Sequence, residues 1–240
     1  MKILSGVYWD QGKRSVNQDS IALEQVMTRK GRVMMAVVSD GIGGLAEGEI
    51  ASGYITEKLI ENFYNQMVPL AGKGKGKKKL MKSVLRCFCD VNKDLKQYGK
   101  GKDMDLGATV SLLFIWGRRY IILHLGDSRI YLCNSSLYPG GIIRQLTRDH
   151  SNGGSALTRC LGSFPFQMPD MQSGWLYGKK GFLLCTDGFY RRMDREAMQV
   201  LGPKDIDSED QIYRRLKEIA AVSLKKGEQD NLSAVYAVVS

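Results

Sequence analysis

The chain has 240 residues, 43% of them hydrophobic and 9% aromatic, enough to bury a sizeable core without disulfide staples and too apolar for a disordered segment. Lys and Arg number 35 against 25 Asp and Glu, a net charge of +10 that favours anionic partners but does not choose among phosphorylated or acidic proteins, nucleic acid and a membrane surface. The 5 cysteines form no C-x-x-C pair, and no apolar run approaches the roughly 20 residues of a membrane helix. A zinc site, a redox dithiol and a membrane span are therefore not expected, and scattered free thiols suit a reducing, cytoplasmic setting.

In chain order, Ser20 to Leu23 reads as a strand preceded by Asp19, and Val33 to Val38 as a strand covered on both faces. Ala51, Ile55, Leu59 and Phe63 recur at four-residue spacing, one apolar stripe of a helix, and Leu80, Val84, Phe88, Val91 and Leu95 form a second. Between them Gly72 to Lys79 alternates and then accumulates lysines, the pattern of a flexible basic loop joining an antiparallel helical pair. Val110 to Trp116, Tyr120 to Leu125 and Arg129 to Cys133 follow as strands separated by turns short enough for antiparallel pairing. Phe182 to Cys185 is another strand; Ile212, Leu216, Ile219 and Ala220 mark a late helix, and Leu232 to Val239 is a closing strand. Strands in runs with helices in separate blocks predict an α+β domain, not a doubly wound parallel sheet. No repeat or linker divides residues 1–240, so a single domain is expected.

The acidic residues fall at strand ends: Asp19, Asp40, Asp127, Asp187 and Asp230. An Asp-Gly pair at a strand end is commonly only a turn. Five such carboxylates gathered at one end of a sheet would repel unless cations lay among them. Oxygen ligands with no His or Cys nearby suit the hard ions Mg²⁺ and Mn²⁺. Two such ions about 3.5–4 Å apart can align a hydroxide for in-line attack on phosphorus. Arg14 supplies a planar fork that could grip phosphate oxygens. His124, inside a strand, and His150, in a loop, read as structural.

In order along the chain stand Arg14-Ser15-Val16-Asn17-Gln18-Asp19, Asp40-Gly41-Ile42-Gly43-Gly44, Gly107-Ala108-Thr109, Gly126-Asp127-Ser128-Arg129, Leu146-Thr147-Arg148-Asp149-His150-Ser151, Leu157-Thr158-Arg159-Cys160-Leu161-Gly162, Thr186-Asp187-Gly188 and Asp230-Asn231. This ordered set, spanning nearly the whole chain, resembles the signatures of the type 2C (PPM-type) metal-dependent protein serine/threonine phosphatases in their bacterial form. The resemblance implies a four-layer α-β-β-α sandwich, two antiparallel sheets flanked by helices, with metals at one edge. It implies that Asp40 bridges two Mn²⁺ or Mg²⁺ ions, that the Gly41 carbonyl binds one of them, and that Asp187 and Asp230 complete the second ion's shell. Asp19 would hold metal-bound waters or contact an ion, Asp127 would join Asp187 at a weaker third position, and Arg14 would bind substrate phosphate. Phosphoserine and phosphothreonine would then be hydrolysed with no phospho-enzyme intermediate.

Four features depart from the family pattern, the smallest being Ala108 in place of a more usual threonine. Ile42 stands where many eukaryotic members carry a histidine, which would leave proton donation to a metal-bound water. The flap expected after Ser151 is cut to residues 152–156, and Arg191-Arg192 follow Asp187 where a less charged segment is expected. Phosphorylated proteins, the products of a serine/threonine kinase, are the expected partners, with no nucleic acid, no membrane and a monomeric state. A phosphoprotein-binding domain of the same fold without turnover is the first rival, and retention of every expected carboxylate stands against it. A nucleic-acid-binding protein is the second; no aromatic residues interleave with the basic run. Five lysines from Lys73 to Lys79 are either a solvated loop or an electrostatic docking site for acidic phosphoproteins.

Overall fold

The computed structural model describes residues 1–42, 47–134, 142–152, 156–163 and 165–240. Among these residues ten strands form two five-stranded antiparallel sheets. The first holds β1 (Ile3–Asp10), β10 (Leu232–Val239), β9 (Lys180–Cys185), β6 (Arg129–Asn134) and β7 (Ile142–Gln145), in that order. The second holds β2 (Asp19–Thr28), β3 (Gly31–Asp40), β4 (Val110–Trp116), β5 (Arg119–Leu125) and β8 (Asp170–Trp175).

Strand alternation sorts the apolar residues into layers. Met34, Ala36 and Val38 of β3 join Leu113 and Ile115 of β4, Phe182 and Leu184 of β9, and Val235, Ala237 and Val239 of β10 in one buried cluster between the sheets. The alternate residues Val33, Met35 and Val37 turn outward onto α1 (Gly48–Asn62) and α3 (Lys77–Lys102). The alternate residues of the other sheet, Leu183, Cys185, Ala234, Tyr236 and Val238, pack under α4 (Asp187–Tyr190), α5 (Arg195–Gln199) and α6 (Glu209–Lys225). The result is the expected α-β-β-α sandwich, and it explains why the central strands read as continuous apolar runs.

Both helical stripes are buried as expected: Ala51, Ile55, Leu59 and Phe63 on one side, Leu80, Val84, Phe88, Val91 and Leu95 on the other. A π-turn over Phe63–Met67 carries the first helix into a short α2 (Val68–Gly72), and it keeps Phe63 and Met67 both facing the sheet. The basic run is only in part a loop, because Lys77, Lys78 and Lys79 form the first turn of α3. β1, β7 and β8 were not expected from the sequence, and each is an edge strand. No helix among the described residues is long and apolar enough to cross a membrane.

The core between helices and sheet sets much of the stability. Phe88 is fully buried, so Phe88→Ala should destabilise the fold by about 3–5 kcal/mol, with the activity per folded molecule retained. Urea unfolding of the metal-free protein measures this; a loss below 1 kcal/mol, itself only about the average single-site effect, would show that the α1–α3 layer is loosely packed.

Candidate metal centre

The antiparallel pairing brings the carboxylates to one end of the molecule. Asp19 opens β2 and Asp40 closes β3, and the two are direct cross-strand partners. Val110 pairs with Leu125 at the same end, and Gly126-Asp127 follows at once. Arg129 pairs with Cys185, Cys185 with Ala234, and Leu232 with Asp10, so Asp187 and Asp230 leave the other sheet on this side too.

Local hydrogen bonds hold each position. The Asp40 N–H donates to Thr109 Oγ1 at 2.9 Å, and Thr109 N–H returns a bond to the Asp40 carbonyl at 2.8 Å. Gly41 is clamped between strand and helix: a Cβ there would lie 2.4 Å from the Gly48 carbonyl oxygen. Only glycine permits that approach. Thr186 Oγ1 donates to Asp19 Oδ2 at 2.8 Å. Tyr190 Oη donates to the Asp127 carbonyl at 3.0 Å, while the Arg129 guanidinium lies 3.8 Å over the Tyr190 ring and pairs with Asp149 at 2.6 Å. Asn231 ties the loop before β2 to the start of β10, accepting from Gln18 N–H at 2.9 Å and donating to the carbonyls of Gln11 and Val16. Gly12, at φ 62°, makes the same closure possible, for a Cβ would meet the Asp230 carbonyl at 2.0 Å.

Both histidines are structural, as expected. His124 sits between Ser111 Oγ at 2.8 Å and the Arg148 carbonyl at 3.1 Å, and burial pushes its pKa down to about 4, so it is neutral. His150 Nδ1 accepts from Gly126 N–H at 3.1 Å and its Nε2 faces Asp170 at 3.2 Å, bracing the turn that carries Asp127.

The electrostatics are those of an acidic cluster short of positive charge. Burial, reinforced by Asp19, Asp187, Asp127 and Asp230, pushes the Asp40 carboxyl well above the usual carboxylate range. Asp19 is raised to about 7 by burial and by Asp187 and Asp230, against the opposing hydrogen bond from Thr186. Asp127 is raised to about 6, first by burial and then by Asp187. Burial raises Asp187 as well, although Arg191 beside it pulls the other way.

Two guanidiniums stand against the cluster. Arg14 donates from Nε and Nη2 to the two Asp230 oxygens, both at 3.0 Å. Arg191 contacts Asp187 and lies 3.2 Å from Glu228 Oε1 and 3.6 Å from Asp230 Oδ2. No three acidic or other ligating side chains among the described residues are gathered tightly enough to hold an ion as they stand. The donor set nevertheless fits Mg²⁺ or Mn²⁺: only oxygen atoms, most of them raised in pKa by one another, as expected where divalent charge is called for.

Five of the expected carboxylates and Gly41 thus lie at one end, and Arg14 reaches it. Arg191 and Glu228 were missed as members; the i,i+4 spacing of Asp187 and Arg191 was their one readable signal. The basic run lies elsewhere. Gly72 packs against Thr28, the far end of β2 from Asp19, roughly 30 Å away by strand rise. It does not border the site. The shortened flap is closed at its base by a Ser151–Leu157 bridge, whereas residues 153–155 within it lie outside the described residues, as do Gly43 and Gly44.

The family model described as protein phosphatase 2C matches residues 11–235. The serine/threonine phosphatase stp of Listeria innocua is 29% identical over 146 residues, 59% of this chain and 52% of that protein, so the match spans about half the length of this curated relative. Among solved structures, serine/threonine phosphatase Stp1 from Staphylococcus aureus superposes with a TM-score of 0.82 at 21% identity, covering 100% of this chain and 96% of that one. The catalytic domain of serine threonine protein phosphatase PstP, in complex with 2 manganese ions, superposes at 0.76 with 22% identity and 99% of both chains covered. At these identities the two structures share the fold.

A pH signature follows from the raised carboxyls of the metal-free protein. Asp19 and Asp127 titrate near 7 and 6 when folded and at about 3.9 when unfolded. Protons bound only in the native state stabilise it, fully below about pH 4, and that contribution is lost as pH rises through about 6 to 7. In chelator, Tm should therefore fall between about pH 5 and pH 8, and saturating Mn²⁺ should reverse the fall by neutralising the cluster. Calorimetry across that window checks it; a metal-free Tm that rises instead would mean the carboxylates are already compensated.

Proposed function

The chain belongs to the protein phosphatase 2C family, and on that premise we propose that it is a metal-dependent phosphatase acting on phosphoserine and phosphothreonine in proteins. The observation that carries this reading is the delivery of Asp19, Asp40, Asp127, Asp187 and Asp230 to one end of two sheets, with raised pKa values for the first four. An all-oxygen cluster of that kind suits two Mn²⁺ or Mg²⁺ ions, with a weaker third at Asp127 and Asp187. The manganese ions of the PstP structure support the same assignment. When bound, such ions supply a water activated for in-line attack on phosphorus, with no phospho-enzyme intermediate.

The protein's own groups divide the remaining work. Asp40, placed by Thr109, would bridge the two ions, with the Gly41 carbonyl on one and Asp187 and Asp230 on the other. Asp19, held by Thr186, would orient waters. Arg14 is half-exposed at the mouth, and its fork, engaged with Asp230 here, would turn to the substrate phosphate. Ile42 has no ionisable proton, so the leaving alkoxide would take its proton from water and not from a side chain at this position. Residues 1–240 would act as one domain, since β1 and β10 from its two ends are hydrogen-bonded neighbours. We assign phosphorylated proteins made by a serine/threonine kinase as substrates, a monomeric state and a cytoplasmic location.

Phosphate release from a phosphothreonine peptide tests the proposal. Release should require Mn²⁺ or Mg²⁺ and stop with chelator. Asp40→Asn and Asp187→Asn should each lower it by at least about 100-fold, the upper end of what losing even an outer-shell partner of a metal costs. Their metal-free Tm should stay level or rise, because each substitution removes like charge from the cluster. Near-normal turnover of either variant at saturating Mn²⁺ would contradict the assignment.

A further inference from the structure

Carboxylates crowded at a sheet edge recruit whatever cation is within reach, and in this chain part of that charge is covalently attached. Arg191 lies one helical turn after Asp187, its N–H bonded to the Asp187 carbonyl at 2.8 Å, so the two side chains share a face. Its guanidinium contacts the Asp187 carboxylate and reaches to 3.6 Å of Asp230 Oδ2. A third carboxylate holds it there. Glu228 is 3% exposed, and its Oε1 lies 3.2 Å from Arg191 Nη1 while also accepting the N–H groups of Gln229 and Asp230 at 3.0 and 3.1 Å. Glu228 Oε2 has no hydrogen-bond partner, with Arg192 Nε 3.7 Å away. A buried carboxylate in this setting needs a cation on it, and Arg191 supplies it.

We propose that Arg191 is a built-in competitor for the divalent ions, anchored on Glu228 and resting against Asp187 and Asp230 until an ion displaces it from Asp187. The inference rests on the metal-centre reading above. Arg191 is a positioning residue in this account and touches no reacting atom. While its charge faces Asp187, an ion must overcome both the lost ion pair and the repulsion of a guanidinium within a few ångströms. The ion using Asp187 and Asp230, and any third ion between Asp127 and Asp187, are therefore bound more weakly than the carboxylate count alone would give. The same guanidinium offsets part of the cluster's repulsion in the metal-free protein.

Calorimetric titration of the purified protein with Mn²⁺ tests this, alongside Arg191→Gln, Arg191→Lys and Arg192→Gln. Arg191→Gln should tighten the weakest Mn²⁺ site by about tenfold or more, the scale expected when a unit charge a few ångströms away near a surface is removed. Its Tm without metal should fall and its Mn²⁺-induced rise in Tm should grow. Arg191→Lys, which keeps a charge over Glu228 but lacks the fork, should fall between Gln and the parent, and it carries the test if the Gln variant does not fold. Arg192→Gln removes the same charge one residue on, where only Glu228 is within reach, and should bind Mn²⁺ like the parent. Unchanged or weaker Mn²⁺ binding in the Arg191 variants would overturn the competitor role and make Arg191 a support for its neighbours. An equal gain in Arg192→Gln would overturn it as well, reducing the effect to net charge. Failure of the parent to bind Mn²⁺ at all would overturn the metal-centre reading and this proposal with it.

Discussion

Several carboxylates taken out of bulk water cannot all ionise side by side unless positive charge lies among them. Asp19 and Asp40 face each other across a strand pair, and Asp127, Asp187 and Asp230 converge on the same end from the other loops. Burial first, and then neighbouring carboxylates, raise the pKa of Asp19, Asp40 and Asp127, so in the absence of ions the site is a store of repulsion held in place by the sheets. That repulsion frames the rest: the all-oxygen cluster fits divalent ions, Arg14 and Arg191 stand against it, and protonation would relieve the repulsion at low pH.

The scaffold resists the repulsion because the ligands sit on its stiffest parts. Two antiparallel ladders fix the Asp19–Asp40 pair, and each sheet is packed on both faces. The loops are braced in turn by Thr109 on Asp40, Tyr190 on Asp127 and Asn231 on the segment that carries Arg14. The two guanidiniums are both about half exposed. In the proposed function Arg14 would exchange Asp230 for a phosphate, and in the proposed competition Arg191 would leave Asp187 while staying on Glu228. Carboxylates held on strands beside half-exposed counter-cations would suit the proposed binding of ions and of a doubly charged phosphate group.

What was legible in the sequence follows burial. Val110 to Trp116 and Leu232 to Val239 were bounded to the residue, because central strands packed on both faces carry unbroken apolar runs. The edge strands escaped notice for the opposite reason. β8 reads Asp-Met-Gln-Ser-Gly-Trp and leaves most of its residues exposed, and β1 is interrupted by Ser5-Gly6. The site carboxylates were readable because Asp at a strand end is a local pattern, repeated five times. Glu228 was not, and Arg191 only by its i,i+4 spacing from Asp187, since their pairing exists only once α4 and the segment before β10 are brought together in space. The lysine run, read from the sequence as a loop or a docking site, stands far from the carboxylates because β2 and α1 both run away from that end, a distance chain order does not show.

The claim that this end of the sandwich is a divalent metal centre is tested most directly by a crystal structure of the protein grown with Mn²⁺, with anomalous scattering recorded at the manganese edge. The account predicts two anomalous peaks about 3.5–4 Å apart, between Asp40, the Gly41 carbonyl, Asp187 and Asp230, with the Arg191 guanidinium withdrawn from Asp187. A map with no manganese among these residues, and both guanidiniums still seated on Asp187 and Asp230, would contradict it.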